Sequence, residues 1–432
     1  MKNKASESYD VVIVGSGPGG ASVAKELVEK KQRVLMLERG DNDPINGSFF
    51  QMAMNAGIPT QSLLFTNLSF LAMVRGLCTG GSSIFYCATA FDPPFEMLDA
   101  YGIDLRQEVR ELKQEIPIAP AEDRLMGVGA RLIMKSALEL GYDWNKLNKF
   151  IYQDKCQRDC GKCSYGCPTG AKWTARNYVE QATDKGMTLI NGAKVNRILY
   201  EGGKAVGVRY SKNLATHDVF GKKIVVAAGG VGSPEILRRS GLDRAGYDFF
   251  FDPLIMVFGT VDGLGSNGEI QMSAGAHMKK GGYLMVDLNF PTPIYLAQSM
   301  PKLRLHKAFS QPNTLMIMIK IKDGLGGRIT SSGGVRKSLR AEDRAKLQDG
   351  FGHAKKILAN AGAKGIFSGW TVAAHPGGTV KIKEMLDSNL KTTKENLYVC
   401  DCSVIPEAWG LPPTLTLLAL GKRLGKHLAE QK

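Results

Sequence analysis

The apolar positions at the start of the chain form two unbroken runs with a helical stripe between them. Tyr9-Asp-Val-Val-Ile-Val14 is a short continuous run of the kind buried in a parallel sheet. Gly15, Gly17, Gly19 and Gly20 follow, and then Ala, Val and Leu recur at helical spacing from Ala21 to Lys30. Arg33-Val-Leu-Met-Leu-Glu38 predicts a second strand that ends in a carboxylate. This order is one complete βαβ unit.

Farther along, residues 41–100 predict loops and short helices. Charged-faced helical patterns cover Leu105 to Ile116, Leu125 to Leu140 and Ala171 to Lys185. Strands are predicted around Met187–Asn191, Val195–Tyr200 and Ala205–Tyr210, and Lys223-Ile-Val-Val-Ala-Ala228 is another buried run. From residue 246 the pattern changes. Tyr283-Leu-Met-Val-Asp-Leu-Asn289 and Leu315-Met-Ile-Met-Ile-Lys-Ile321 alternate, which predicts an antiparallel sheet with one exposed face. A charged helix, Ala341 to Ala361, follows; glycine loops, the strand Leu397–Cys400 and a last helix, Thr414 to Ala429, return at the end.

The predicted fold class is α/β: a Rossmann-like nucleotide domain with an inserted antiparallel-sheet (α+β) substrate domain. The expected boundaries are 1–100 and 171–245 for two parts of the nucleotide domain, and 101–170 for a helical region with a cysteine-bearing insert. Residues 246–369 form the substrate domain and 370–432 the third nucleotide-domain part, with the active-site segment. A length of 432 residues suits two domains better than one core.

Composition is that of an ordinary globular protein. The formal charge of +15 suggests an acidic protein partner or an anionic membrane surface, with a merely solvated surface as the plain alternative. No basic run interleaved with aromatics is present, so nucleic-acid binding is not expected. The polar start and the lack of any run near the ~20 apolar residues of a membrane span lead to the expectation of a cytoplasmic protein without a transmembrane segment. Peripheral membrane contact stays open.

Gly15-x-Gly17-x-x-Gly20, with Pro18 between, suits a tight turn and close approach to a pyrophosphate at a helix N-terminus. Glu38 at the second strand end, followed by Arg39, is placed to accept ribose hydroxyls. That unit alone does not separate FAD from NAD.

Cys156, Cys160, Cys163 and Cys167 read C-x3-C-x2-C-x3-C and precede Pro168, and the last arm matches most of a bacterial ferredoxin run. Four thiolates suit iron–sulfur or zinc. The compact run leads to the expectation of an iron–sulfur cluster, [4Fe–4S] before [3Fe–4S], with zinc, free thiols and a disulfide as alternatives. Cys78, Cys87, Cys400 and Cys402 share no local spacing and read as small buried hydrophobes.

Over most of its length the chain resembles the glucose–methanol–choline (GMC) flavoenzyme family. Arg75-Gly-Leu-Cys-Thr-Gly80-Gly81-Ser82-Ser83 is similar to that family's flavin-contacting loop, and Val195 to Tyr210 to its adenine-side strand pair. Ala227-Ala228-Gly229-Gly-Val-Gly-Ser233-Pro234 resembles the second signature. His375-Pro-Gly-Gly378, Asn396 to Pro406 with Asp401, and Gly410-Leu-Pro-Pro413-Thr414-Leu-Thr416 resemble the C-terminal flavin and active-site segment. The resemblance implies bound FAD contacted by Val195, Ala228, Gly229, Ser233, Asp401, Pro413 and Thr414 as well as by the glycine and serine loops. It also implies His375 as the residue that takes a hydroxyl proton or binds the developing oxyanion. Some relatives carry a stretch like Cys163-Ser-Tyr-Gly-Cys-Pro-Thr-Gly-Ala-Lys172, and certain sugar dehydrogenases hold a cluster near it.

Two positions depart from the family. Pro412 stands where Asn or His is usual, and Tyr86 where Asn often follows the serine loop. Glu407 and Tyr86 are therefore candidate partners for His375. The implied function is an FAD-dependent dehydrogenase that oxidises an alcohol to a carbonyl, or runs the reverse, and passes electrons through the cluster to an acidic carrier protein or a partner redox subunit. A reductase of an activated C=C or C=O and an electron-transfer subunit are the alternatives. The candidate substrate wall, Leu284 to Tyr295 and Leu315 to Ile321 with Met285, Met316 and Met318, leans toward a lipophilic alcohol or carbonyl.

Overall fold

A computed structural model describes residues 8–66, 71–299 and 310–431. The unbroken run Tyr9–Val14 forms the central strand β1, flanked in parallel register by Val34–Leu37 (β2) and by Ala215–Val226. Between β1 and β2 runs the helix Pro18–Glu29 (α1), which buries Ala21, Val23, Ala24 and Leu27 against the sheet. From Val11 to Val14 every position of this strand is apolar and buried. Thr188–Ile190 extends the parallel sheet beyond β2, and Leu397–Val399 pairs with Ala215–Val226. Lys194–Glu201 and Lys204–Lys212 join antiparallel on the other side. The closing helix Thr414–Glu430 lies along α1: a Cβ at Gly421 would stand 2.5 Å from the Gly19 carbonyl, so glycine sets how closely the helices approach.

Among the described residues the second sheet has nine strands and centres on Pro253–Thr260, paired antiparallel with Thr314–Ile321, which in turn pairs with Tyr283–Leu288. Strands from outside the predicted insert join it: Leu63–Phe65, Ala72–Val74, Asn145–Lys146 and Val372–Ala373. The sequence pattern predicted one exposed face here, yet every residue of Tyr283–Leu288 and Thr314–Ile321 is buried. One face, carrying Ile255, Val257, Ile317, Ile319 and Met285, is covered by the helices Val128–Glu139 and Ala341–Asn360. The other, carrying Leu254, Met256, Phe258, Leu284, Met316 and Met318, meets Cys87, Phe91 and Leu411 from the nucleotide-domain side. Two-sided cover buries even Lys320, a charged residue in an otherwise apolar strand, which is paired with Asp252. No helix among the described residues is long and apolar enough to cross a membrane.

Candidate active site and nucleotide cradle

At the end of β1 the chain turns through Gly15 at φ +103°, where a Cβ would lie 2.3 Å from the Ala227 carbonyl. Helix α1 then begins with Pro18 in its first turn and no side-chain cap on Gly17, so its leading amide protons are left for a ligand. A Cβ built on Gly17 meets no protein atom within 4 Å, whereas one on Gly19 would sit 2.1 Å from the Cys400 carbonyl. The loop Gly80–Gly81 closes over this turn, both glycines at positive φ, and a Cβ on Gly81 would stand 3.2 Å from Gly17 Cα. Ser83 Oγ donates to the Gly80 carbonyl, and Ser82 Oγ accepts the Gly76 N–H. Open space in front of an uncapped helix start, walled by glycines, fits a dinucleotide diphosphate.

Glu38 is buried at the end of β2. Its Oε2 accepts the Ser16 N–H at 3.0 Å and the Ser16 hydroxyl at 2.6 Å, and its Oε1 accepts the Gly40 N–H at 2.7 Å. Burial pushes its carboxyl up, against the pull of those donors. Oε1 keeps a lone pair for a ribose hydroxyl. Arg39 and Arg75 both reach Gln61, Arg75 Nε donating to its carbonyl at 2.8 Å, and burial lowers the Arg75 guanidinium to about 10. Asp401 accepts from the Gly229 N–H and the Ser233 hydroxyl, while Ser233 Oγ accepts the Ala228 N–H. This second glycine turn is thus fastened from within. Val195 is buried in the antiparallel pair Lys194–Glu201 and Lys204–Lys212, and Pro413 precedes the closing helix, whose first turn carries Thr414 and the buried hydroxyl of Thr416, without a partner among the described residues.

Between the sheets lies a cluster of charge. His375 follows Val372–Ala373, and Phe250 bridges Gly377 antiparallel, which places the histidine over the turn before Pro253. Its Nδ1 lies 3.1 Å from Asp252 Oδ2 and 3.3 Å from Lys320 Nζ, and Lys320 Nζ is 3.4 Å from the same carboxylate oxygen. Asp252 Oδ1 accepts the Gly410 N–H at 2.9 Å. The side chains of Asp252 and Lys320 are 0% and 1% exposed, while that of His375 is 29% exposed, so the imidazole is the open end of a buried cluster. Burial lowers the Lys320 ammonium to about 8 against the attraction of Asp252. Burial, with Lys320 behind it, also holds His375 below the usual histidine range, and Asp252 opposes.

A second layer supports the first. Asp323 accepts the backbone N–H groups of Phe251 and Asp252 and pairs with Lys337 at 2.7 Å. Lys337 also donates to the Phe249 and Gly324 carbonyls. Asp252, Lys320, Asp323 and Lys337 were not singled out from the sequence. The available signal was a lysine in the apolar alternation 315–321 and an aspartate directly before Pro253.

Other expected residues lie elsewhere. The Tyr86 hydroxyl donates to the Trp173 carbonyl at 2.6 Å, and Glu407 faces the Tyr101 hydroxyl. Met316 and Met318 line the face toward the nucleotide domain, but Met285 points to the helix-covered face.

The cysteine expectation is corrected. Cys156, Cys160, Cys163 and Cys167 are free thiols, and among the described residues no group of three or more His, Cys, Asp or Glu side chains has the arrangement to hold a metal ion. Cys167, at φ +62°, accepts the Lys172 N–H on its sulfur at 3.3 Å. Burial raises Cys156 to about 12 and Cys163 to about 11. The iron–sulfur cluster, its zinc alternative and the metal-binding reading are withdrawn.

Comparison with known proteins agrees with the cradle. Sequence profiles described as GMC oxidoreductase match residues 10–267 and 335–421. An uncharacterized protein of Methanocaldococcus jannaschii is 29% identical over 97% of this chain and all of its own length. A long-chain-alcohol oxidase of Arabidopsis thaliana is 23% identical over 98% of this chain and 68% of its own. The crystal structure of pyridoxine 4-oxidase from Mesorbium loti superposes with a TM-score of 0.76 at 17% identity, covering 97% of this chain and 99% of that one.

Proposed function

Because the chain belongs to the GMC oxidoreductase family, we propose that it oxidises the CH–OH group of a lipophilic alcohol to a carbonyl, with His375 receiving the hydroxyl proton. The observation that carries this reading is the His375–Asp252 contact at 3.1 Å, at the open end of a buried cluster beside the apolar face of Met316 and Met318.

FAD, held by the Gly15–Gly20 turn, the Gly80–Ser83 loop and Glu38, supplies the hydride acceptor when bound. The protein's part is to hold and move the proton. An Nδ1 proton donated to Asp252 fixes the tautomer and leaves the Nε2 lone pair toward the cleft. Nε2 takes the hydroxyl proton, the electron pair stays on oxygen, and Asp252 stabilises the resulting imidazolium. The Gly410 N–H on Oδ1 keeps that carboxylate oriented. Apart from Lys320, the sheet face beside this proton is apolar and suits an alkyl chain better than a polyhydroxylated substrate. A long-chain-alcohol oxidase among the relatives agrees with a lipophilic substrate.

Anaerobic titration of the FAD-loaded protein with primary and secondary alcohols of increasing chain length tests the reading. Flavin bleaching that strengthens with chain length supports it; bleaching by none of the alcohols overturns it. The preference for a dehydrogenase over an oxidase rested on the cluster and falls with it, and an acidic carrier partner now rests on the +15 charge alone. Reoxidation of the bleached flavin by dioxygen, compared with a one-electron dye, assigns the acceptor.

A further inference from the structure

Lys320 lies outside the sequence pattern that marks His375, yet its ammonium reaches the same imidazole. It occupies the strand Thr314–Ile321, between Leu254 and Leu284 in register on the neighbouring strands, and its side chain is 1% exposed. Its polar partners are Asp252 Oδ2 and His375 Nδ1. The charged and titratable groups around the imidazole come from three directions. Asp252 approaches from the turn before Pro253, with Asp323 and Lys337 behind it. Lys320 approaches from the strand. Cys402, beside Asp401, faces the Lys320–Asp252 pair from the C-terminal segment.

A ring nitrogen offers either a proton or a lone pair, whereas an ammonium offers only protons and an ionised carboxylate only lone pairs. Both sit within 3.4 Å of one Nδ1. A protonated imidazole would gain from Asp252 but would place a second cation 3.3 Å from the ammonium of the buried Lys320. Lys320 therefore works against the resting imidazolium without removing the carboxylate that orients the ring. Pro412, at the position where a polar partner was expected, offers no side-chain donor to do this. We propose that Lys320 is a positioning residue for the oxidation: strapped to Asp252, its ammonium keeps the resting His375 uncharged, so that Nε2 is free to break the substrate O–H bond and form N–H. This rests on the reading of His375 as proton acceptor.

The test follows His375 by NMR of histidine-labelled, FAD-loaded protein, its resonance assigned by its loss in His375→Ala, together with the pH profile of anaerobic flavin reduction. In Lys320→Met the His375 midpoint rises by on the order of one pH unit or more, and the acid limb of the rate moves with it. Lys320→Gln, which keeps a donor for Asp252 but no charge, shows the same rise, and Lys320→Arg restores the parental midpoint. A purely structural lysine would lower the rate at every pH and leave the midpoint alone. An unmoved or lowered midpoint in either neutral variant overturns the proposal. If neither variant folds, a parental His375 midpoint at or above the ordinary 6.5 overturns it instead. The two readings fail separately: parental flavin reduction in His375→Ala removes the proton acceptor, while a midpoint indifferent to Lys320 removes only the positioning role.

Discussion

Asp323 accepts the backbone N–H of Asp252 at 3.0 Å and so holds a non-glycine residue at φ +47° directly beneath His375. A left-handed conformation costs an L-residue on the order of 1–3 kcal/mol and persists only where its surroundings impose it. Here the same carboxylate also takes the Phe251 N–H and is neutralised by Lys337, so the strain at Asp252 is set by a buried ion pair one layer below the site.

Removing that support has a measurable cost. Asp323→Ala leaves Lys337 buried without its carboxylate, and loss of one partner from a buried pair costs about 3–5 kcal/mol. Urea unfolding is expected to show a drop of that order, larger than the drop in Asp323→Asn, which keeps an acceptor for the two amides.

His375→Ala is expected to retain FAD and slow anaerobic flavin reduction by alcohol on the order of 10²–10⁴-fold, the usual range for a lost general base. Stopped-flow absorbance at the flavin band checks this. A parental rate would exclude the histidine from the reaction.

The pH dependence follows in sign from the environment of the ring. Burial, reinforced by Lys320, lowers His375 from the ordinary 6.5, and only the neutral ring accepts a proton. Flavin reduction is therefore expected to be flat through neutral pH and to fall on acidification, with its midpoint below 6.5. A limb centred above that value would contradict the assignment.

Two neighbouring glycines separate ligand space from packing space. Gly17→Ala introduces a methyl into a volume that holds no protein atom within 4 Å, at φ −66° where alanine is unstrained. The FAD-free protein is expected to keep its thermal stability while FAD binding weakens, measured by fluorescence on reconstitution. Gly19→Ala drives a methyl to 2.1 Å from the Cys400 carbonyl and is expected to destabilise the protein with or without FAD.

Local chemistry was legible in the chain. The run Tyr9–Val14, the spacing of Gly15, Gly17 and Gly20 and the acid at Glu38 specify strand, turn and helix within thirty or so residues, because strand burial, positive φ and an uncapped helix start are local properties. His375 was marked in the chain only by the resemblance of His375-Pro-Gly-Gly378 to a family segment. Spacing alone misled at the cysteines: four residues close along a chain do not by themselves make an arrangement that holds a metal ion, and among the described residues none is present. The alternation at 283–289 and 315–321 predicted strands but not their second cover, since which helices and which loops close on a sheet depends on the whole chain. The face that Met285 takes and the face that Met316 takes were settled by the same docking. The partners of His375 were beyond any local pattern. Asp252 lies 123 positions away, Lys320 lies 55 away on another strand, and Gly410 comes from a third segment. Sequence supplied the acid, the lysine and the histidine; only the long-range pairing of Pro253–Thr260 with Thr314–Ile321 and with Val372–Ala373 in the second sheet brought them within hydrogen-bond distance.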